Sequence, residues 1–154
     1  YLCSRMKTSK PTIRIFRVDT TTEIFLPFAD GGIKCGFPSP AQDYVEESID
    51  LNKTLIDSKE STFLGRVEGD SMKDRGINHN DLLIIDKSKE ARHGDVVVAY
   101  IDGEFTIKTL DLTHEKDGYI ELVPANDAYP IIKITAEETF LVWGVVTYNI
   151  QKLY

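Results

Sequence analysis

From residue 62 onward the sequence is a succession of short apolar or alternating segments separated by turn residues. Segments of this kind, bounded by Gly, Asn and Asp, are typical of β-strands and their connections. Because no long helical pattern separates them, the spacing argues against alternating β/α units and predicts a mostly β body. The predicted strands lie near residues 62–68, 82–86, 95–101, 104–110, 119–123 and 140–149.

Two of these segments carry further topological information. Asp102-Gly103 separates two predicted strands, and this pair tolerates the positive φ angles of a type I′ turn, so a tight hairpin is expected there. The last strand contains the run Phe140–Val146, which is apolar on both faces. A strand buried on both faces belongs in the middle of a sheet, so this one is predicted to be central.

The first 30 residues have a weaker pattern. Residues 12–18 alternate like a short strand, residues 23–28 form a second apolar patch, and Asp30-Gly31-Gly32 marks a turn. We expect an extended, mobile arm with two apolar patches. A helix-turn-helix domain needs helical periodicity with basic recognition positions, and its absence argues against direct sequence-specific DNA binding.

A short helix is predicted to follow the arm. Ser39 is a good N-cap, Pro40 suits the first helical position, and Gln42 stands at the capping-box spacing. The helix is expected to end before Asp50. Its inward-facing residues would be Tyr44, Val45 and Ile49.

Charge and cysteine content exclude several classes of protein. The 154 residues carry a net charge of −7, with +3 on residues 1–35 and −10 on the remainder, which argues against nonspecific nucleic-acid binding. Cys3 and Cys35 lack the spacing of a zinc site or a disulfide framework, and free thiols suit a reducing compartment. No metal or other cofactor is expected.

The expected location is the cytoplasm. No apolar run approaches the roughly 20 residues that span a membrane, and no signal-peptide pattern opens the chain. The first residue is Tyr1, and Met6 is a candidate start of the natural chain.

The candidate chemistry lies at Gly69–Met72 and at Lys108. A serine hydroxyl is a poor nucleophile without a neighbouring base. Ser71 follows a predicted strand at a glycine-containing turn, and Lys108 lies in an apolar strand where burial would lower its pKa and let it act as that base. The backbone N–H groups of Asp70 and Ser71 are the expected oxyanion donors. The carboxylate of Asp70 would repel an oxyanion, so we expect it to point away and cap the turn.

Each of these features also has an ordinary structural explanation. Gly-Asp-Ser is common in turns, Lys108 could project into solvent from an edge strand, and Cys35-Gly36 could be a plain linker with a buried cysteine. A conventional triad is disfavoured because all the histidines lie in polar turn contexts. These histidines are His79, His93 and His114.

Taken together, the motifs resemble the LexA/UmuD family of self-cleaving peptidases, to which phage repressors also belong. The resemblance covers about residues 33–150 and stops short of residues 1–32, where the arm is longer than is usual in the family. The matching motifs, in chain order, are Cys35–Pro40, Gly69–Met72, Asn80–Asp86, His93–Val97 and Asp102–Lys108.

The resemblance implies a LexA- and signal-peptidase-like β body with a mobile arm. It implies that Ser71 is the nucleophile, that Lys108 is the general base, and that the bond between Cys35 and Gly36 is cut by the chain itself. Residues 1–35 would then be the removable arm and residues 36–154 the Ser-Lys peptidase body. It further implies a homodimer, stimulation of cleavage by the RecA–single-stranded-DNA filament after DNA damage, and a UmuC-type polymerase subunit as partner.

Three alternatives stay open at this point. The chain could be a non-cleaving dimeric scaffold of the same fold, although an intact dyad and junction favour cleavage. It could be the peptidase half of a LexA-like transcriptional repressor, against which the Cys35–Pro40 segment argues. Signal peptidases also use Ser and Lys, but this sequence offers no membrane anchor.

Overall fold

The computed structural model describes residues 13–23, 25–29 and 46–154. The predicted cleavage junction at Cys35 and Gly36, the predicted helix start at Ser39, and Cys3 lie outside these residues. Within them, no helix has the length and apolar character that crossing a membrane requires.

The described chain is dominated by β-strands, as predicted, and contains little helix. Among the described residues the α-helix is α1 (Leu51–Leu55), and single 3₁₀ turns cover Lys73–Arg75 and Glu115–Asp117. The strands are β1 (Arg14–Arg17), β2 (Phe25–Ala29), β3 (Glu46–Asp50), β4 (Thr62–Arg66), β5 (Leu82–Asp86), β6 (Val96–Ile101), β7 (Glu104–Asp111), β8 (Ile120–Val123), β9 (Ile132–Ile134) and β10 (Phe140–Ile150).

These elements fall into two compact units. The larger unit comprises residues 13–18 and 60–154, and the smaller one comprises the described residues between 19 and 59. In the larger unit eight strands form one antiparallel sheet in the order β1-β4-β5-β10-β6-β7-β8-β9. The apolar strand β10 pairs with β5 on one side and β6 on the other, so its predicted central position is confirmed.

Both faces of the middle strands are buried. Val97 and Val98 are consecutive in β6 and therefore point to opposite faces, yet neither is exposed. Val98 belongs to a cluster with Met72, Ile85 and Ile107. The cluster on the other face contains Val97, Ala99, Leu110, Leu122 and Ile134. Strands covered on both sides provide an interior in which a polar side chain can be held away from water.

The predicted hairpin turn at Asp102-Gly103 is present. Asp102 has a φ of 47° and Gly103 a φ of 88°, so both residues adopt the left-handed conformation that a type I′ turn requires. The turn joins β6 to β7 and sets their register, in which Val97 lies opposite Lys108. The position of Lys108 along the sheet therefore depends on this two-residue turn.

In the smaller unit, the prediction for Ile49 was wrong. Ile49 lies in strand β3, opposite Leu26 of β2, and not on a helix. The helix begins only after Asp50, whose carboxylate accepts a hydrogen bond from the backbone N–H of Asn52 at 3.0 Å. The pairing of β3 with β2 gives the backbone of residues 46–50 its partners, and the cap at Asp50 starts the helix at Leu51, after Ile49.

Strand β9 was not predicted from the sequence. It has three residues and follows Pro130, so its own pattern is too short to be diagnostic. Its conformation is supported by pairing with β8, in which Ile134 lies opposite Ile120. The extended conformation of β9 is therefore explained by its pairing with β8 and not by its own sequence.

At Gly144, strand β10 packs closely against strand β5. A Cβ atom at this position would lie 2.6 Å from Cγ2 of Ile85 and 3.4 Å from the carbonyl oxygen of Asp86. We expect Gly144→Ala to lower the free energy of unfolding by about 1–3 kcal/mol, because overpacking strains a filled core. Leu141→Ala is the matched control on the same strand: Leu141 is 56% exposed, so a change within about 0.5 kcal/mol is expected. Equal urea midpoints for the two variants would contradict this.

Candidate active site

Ser71 lies in a turn that continues from strand β4. Val67 extends the sheet pairing beyond β4, since its N–H donates to the carbonyl of Asp81 at 3.0 Å and its carbonyl accepts from the N–H of Asn80 at 2.8 Å. The chain then turns at Gly69, which has a φ of 96°. Ser71 follows at 4% exposure. The hydroxyl of the candidate nucleophile is therefore shielded from bulk water.

The residue after Ser71 anchors the turn. Met72 is only 2% exposed and packs in the core cluster that contains Ile107. Its carbonyl accepts hydrogen bonds from the N–H groups of Arg75 at 3.1 Å and Ile77 at 3.2 Å. A fixed Met72 backbone holds the adjacent Ser71 in one position.

Lys108 reaches Ser71 from strand β7. Its side chain is buried, at 3% exposure. The Nζ atom donates hydrogen bonds to Ser71 Oγ at 3.1 Å, to Thr106 Oγ1 at 2.9 Å and to the carbonyl oxygen of Ile107 at 2.9 Å. The structure thus brings together the two residues predicted to form the dyad, with Thr106 and Ile107 as further partners of the amine.

Burial lowers the pKa of Lys108 from 10.5 to about 8. The three acceptors around Nζ are two hydroxyls and a carbonyl, so among the described contacts no carboxylate holds the amine in its charged form. A neutral amine has two N–H bonds and one lone pair. With two bonds directed to Thr106 and Ile107, the lone pair can face the hydroxyl of Ser71 and accept its proton.

Asp70 is held by a tyrosine. The hydroxyl of Tyr129 donates to Oδ1 of Asp70 at 2.7 Å, and this bond is the main cause of the raised pKa of Tyr129. The turn is closed by the backbone carbonyl of Asp70, which accepts from the N–H of Lys73 at 3.2 Å. Among the described contacts the carboxylate does not cap the turn, contrary to the prediction, because Tyr129 engages it.

A loop at residues 124–129 braces the nucleophile turn, and sequence reasoning missed it. Asn126, which is buried, donates from Nδ2 to the carbonyl of Asp70 at 3.0 Å. The N–H of Ala125 donates to the carbonyl of Ser71 at 2.8 Å, and the carbonyl of Ala125 accepts from Asp74 at 2.9 Å. Asn126 and Asp127 give only a turn signal in the sequence, so nothing in the pattern links them to Ser71.

The oxyanion donors predicted at this turn are the backbone N–H groups of Asp70 and Ser71. The carbonyls of both residues are hydrogen-bonded, but neither N–H has an acceptor among the residues that the structure describes. A turn that fixes its carbonyls and leaves these N–H groups available could donate them to a developing oxyanion.

His79 is hydrogen-bonded to the turn that carries Ser71. Its Nδ1 atom accepts from the N–H of Gly69 at 3.1 Å. His93 accepts from the N–H of Leu112, and His114 stacks on Tyr119. In the described part of the chain no histidine is hydrogen-bonded to Ser71, so the histidines support turns.

A small, mostly apolar cleft opens beside Ser71. Glu68 is the charged residue in its lining, and the carboxylate of Glu68 forms an ion pair with Arg14 at 2.7 Å. The mostly apolar lining favours contact with apolar groups over charged ones. The other lining residues are Ile13, Val67, Gly69, Met72 and Ile107. Within the described ranges, no group of three or more His, Cys, Asp or Glu residues is arranged to hold a metal ion.

The lowered pKa of Lys108 has a consequence for stability. Between pH 8 and pH 10.5 the unfolded chain keeps the proton of Lys108 whereas the folded chain has lost it, so folding becomes more favourable as the pH rises. In a Ser71→Ala background, we expect the free energy of unfolding relative to Lys108→Met to increase by up to about 1.4 kcal/mol per pH unit in this window. Urea titrations at several pH values measure it.

Lys73→Met is the matched control for this experiment, because Lys73 is exposed. Its difference from the parent is the baseline with which the pH dependence of Lys108→Met is compared. A pH dependence for Lys108→Met no greater than this baseline would mean that the amine of Lys108 has an ordinary pKa in the folded chain.

Several known proteins have sequences similar to this one. Residues 27–147 match the family described as Peptidase S24-like. Protein SamA of Salmonella typhimurium is 45% identical over 117 residues, which cover 76% of this chain and 79% of SamA. Protein ImpA of Escherichia coli is 41% identical over 125 residues (81% of this chain, 82% of ImpA), and Protein MucA of Escherichia coli is 38% identical over 126 residues (81% and 84%). The chain therefore belongs to the Peptidase S24-like family, the LexA/UmuD-type peptidases that its motifs predicted.

Proposed function

We propose that this protein is a self-cleaving serine peptidase that cuts its own bond between Cys35 and Gly36. The observation that carries the proposal is the buried hydrogen bond of 3.1 Å between Lys108 Nζ and Ser71 Oγ, made by an amine whose pKa is about 8. Membership of a serine peptidase family supports the same chemistry.

The reaction would proceed through an ester of Ser71. Neutral Lys108 accepts the hydroxyl proton while Ser71 Oγ attacks the carbonyl carbon of Cys35. The backbone N–H groups of Asp70 and Ser71 stabilise the negative charge that develops on the carbonyl oxygen. As the intermediate collapses, the ammonium of Lys108 returns the proton to the amide nitrogen of Gly36, which leaves. Water then attacks the ester, giving a free carboxylate on Cys35 and restoring Ser71.

Regulation would act on the fraction of molecules in which the arm is docked, because the substrate is part of the same chain. The arm, residues 1–35, must place its junction against Ser71 of the body, residues 36–154. A tethered substrate supplies its own proximity, so the rate depends on how often the junction is docked and how often Lys108 is neutral. A partner that favours the docked state speeds cleavage without adding a catalytic group. We propose the RecA–single-stranded-DNA filament as that partner.

The biological role that fits best is in the bacterial response to DNA damage. The trimmed, homodimeric body would act in the cytoplasm as an accessory subunit of an error-prone translesion polymerase, together with a UmuC-type catalytic subunit. Support comes from the relatives SamA, ImpA and MucA, which are UmuD-like proteins. The charge of −10 on residues 36–154 also favours action through protein partners over direct DNA binding.

Cleavage should be detectable in the purified protein without any partner. We expect fragments that split between Cys35 and Gly36, with a rate that rises about tenfold per pH unit below pH 8 and levels off above it, because neutral Lys108 is the reactive form. Ser71→Ala should abolish the fragments. Lys108→Arg should do so at every pH, since arginine does not deprotonate. Intact-mass spectrometry of samples held at a series of pH values measures this.

Lys73→Arg provides the control for the lysine substitution, because Lys73 is exposed and close in sequence to Ser71. Its cleavage should match that of the parent. A chain that stays uncut at every pH while folded would favour the non-cleaving scaffold. Cleavage by Lys108→Arg would remove lysine from the mechanism.

Thr106 should control the protonation and orientation of Lys108. Thr106→Val removes one of the three acceptors of Nζ, so above the midpoint of the pH profile we expect cleavage about tenfold slower, because the ammonium that forms in the transition state loses one hydrogen bond. The midpoint of the pH profile should also move to lower pH, because the ammonium has lost a partner. Thr106→Ser keeps the hydroxyl and should restore both rate and midpoint. A Thr106→Val protein with an unchanged profile would exclude this role.

A further inference from the structure

Strand β1 precedes the proposed cleavage junction, yet it is part of the large sheet. Among the residues that the structure describes, it forms one edge of the eight strands and pairs antiparallel with β4, with Ile15 opposite Gly65. A cut after Cys35 would therefore separate an edge strand from the sheet that it completes.

The contacts of β1 resemble those of a bound peptide. Ile13, directly before the strand, is 5% exposed and belongs to the core cluster, and Ile15 packs against the same cluster. Phe16, the residue after Ile15, is 49% exposed. Extended peptides that add to a sheet edge are held in this way, by backbone pairing and by pockets for alternate side chains.

The larger unit has a socket for Ile13. Gly65 of β4 has no side chain, and a Cβ atom built there would collide with Cδ1 of Ile13. Ile13 also lines the cleft beside Ser71. Next to it, Arg14 pairs with Glu68 at 2.7 Å. The socket thus combines an apolar recess with an acidic group at its rim.

We propose that the free edge of β4 and the Ile13 socket form a binding site for an extended protein segment with the pattern aliphatic–basic–aliphatic. In the uncut chain β1 occupies this site. Resting on the proposed self-cleavage, the site is emptied when residues 1–35 are released, and it then accepts such a segment from a partner protein. Cleavage would therefore both remove the arm and create a docking edge.

Release follows from the loss of the tether. While the chain is intact, β1 faces β4 at an effective concentration on the order of millimolar. Once separate, a four-residue strand preceded by one buried isoleucine, Ile13, must also overcome the loss of translational and rotational freedom. At micromolar protein the released arm should leave β4, and a partner with a longer or better matched segment should bind instead.

A labelled peptide tests the site directly. The probe is residues 11–19, PTIRIFRVD, with an N-terminal fluorophore, and binding is followed by fluorescence anisotropy. Three proteins are compared: uncut Ser71→Ala, uncut Ser71→Ala with Ile13→Asp, and the self-cleaved chain after gel filtration. The second protein empties the socket without any cleavage. A further variant, Ile15→Asp, repeats it at the neighbouring anchor, and circular dichroism checks that both variants fold.

We expect saturable binding to the Ile13→Asp protein and to the cleaved chain, at least tenfold tighter than to the uncut Ser71→Ala protein. A peptide with Ile13→Ser should bind at least tenfold more weakly, whereas one with Phe16→Ser should bind as the parent does, because Phe16 is exposed. Equal binding to all three proteins, or binding to none of them, would overturn the proposal, as would a released arm that co-elutes with the body.

The design separates this proposal from the proposed function. If the chain never cuts itself, the self-cleavage hypothesis fails, and the Ile13→Asp and Ile15→Asp proteins alone decide whether β4 binds the peptide. If the chain cuts but neither the cleaved chain nor these variants bind it, self-cleavage stands and the strand site is rejected.

Discussion

The contact between Lys108 Nζ and Ser71 Oγ is the interaction on which the rest of the site depends. An amine buried at 3% exposure cannot be solvated by water, and the structure surrounds it with two hydroxyls and one carbonyl. These groups satisfy the hydrogen bonds of an ammonium without supplying a negative charge. Burial therefore dominates, and the pKa falls to about 8. A carboxylate at the position of Thr106 would reverse this balance and keep the lysine charged.

The chain must cross several strands to make this contact. Ser71 follows β4 and Lys108 lies in β7, and β5, β10 and β6 stand between those strands. In a flat sheet four strand spacings amount to about 19 Å, whereas the two side chains are hydrogen-bonded. Gly65 and Gly144 allow close packing beneath this crossing, because at both positions a Cβ would collide with the side chain of Ile85. The glycines let neighbouring layers approach more closely than side chains would allow.

The sequence was most informative where a local pattern and the tertiary structure agree. The apolar run of β10, the Asp102-Gly103 turn and the family motifs were enough to predict a mostly β body and to single out Ser71 and Lys108. The prediction failed for Ile49, since a sheet partner 23 residues earlier in the chain, Leu26, overrides the local helix signals. It also missed Asn126 and Tyr129, because their contacts to Asp70 span 56 and 59 residues and leave no local pattern.

A base that owes its reactivity to burial also depends on whatever keeps water out. Ile13 lines the cleft beside Ser71, and in the proposed scheme it belongs to the segment that is released. Loss of this side chain would open the cleft that Ser71 lines, and if water reached the amine of Lys108 from there, solvation would favour the ammonium and raise the pKa toward its ordinary value of 10.5. A histidine base, with an ordinary pKa near 6.5, would stay active when solvated. The use of lysine would thus make the peptidase self-limiting: the cut that matures the chain would also remove the apolar cover that activates it.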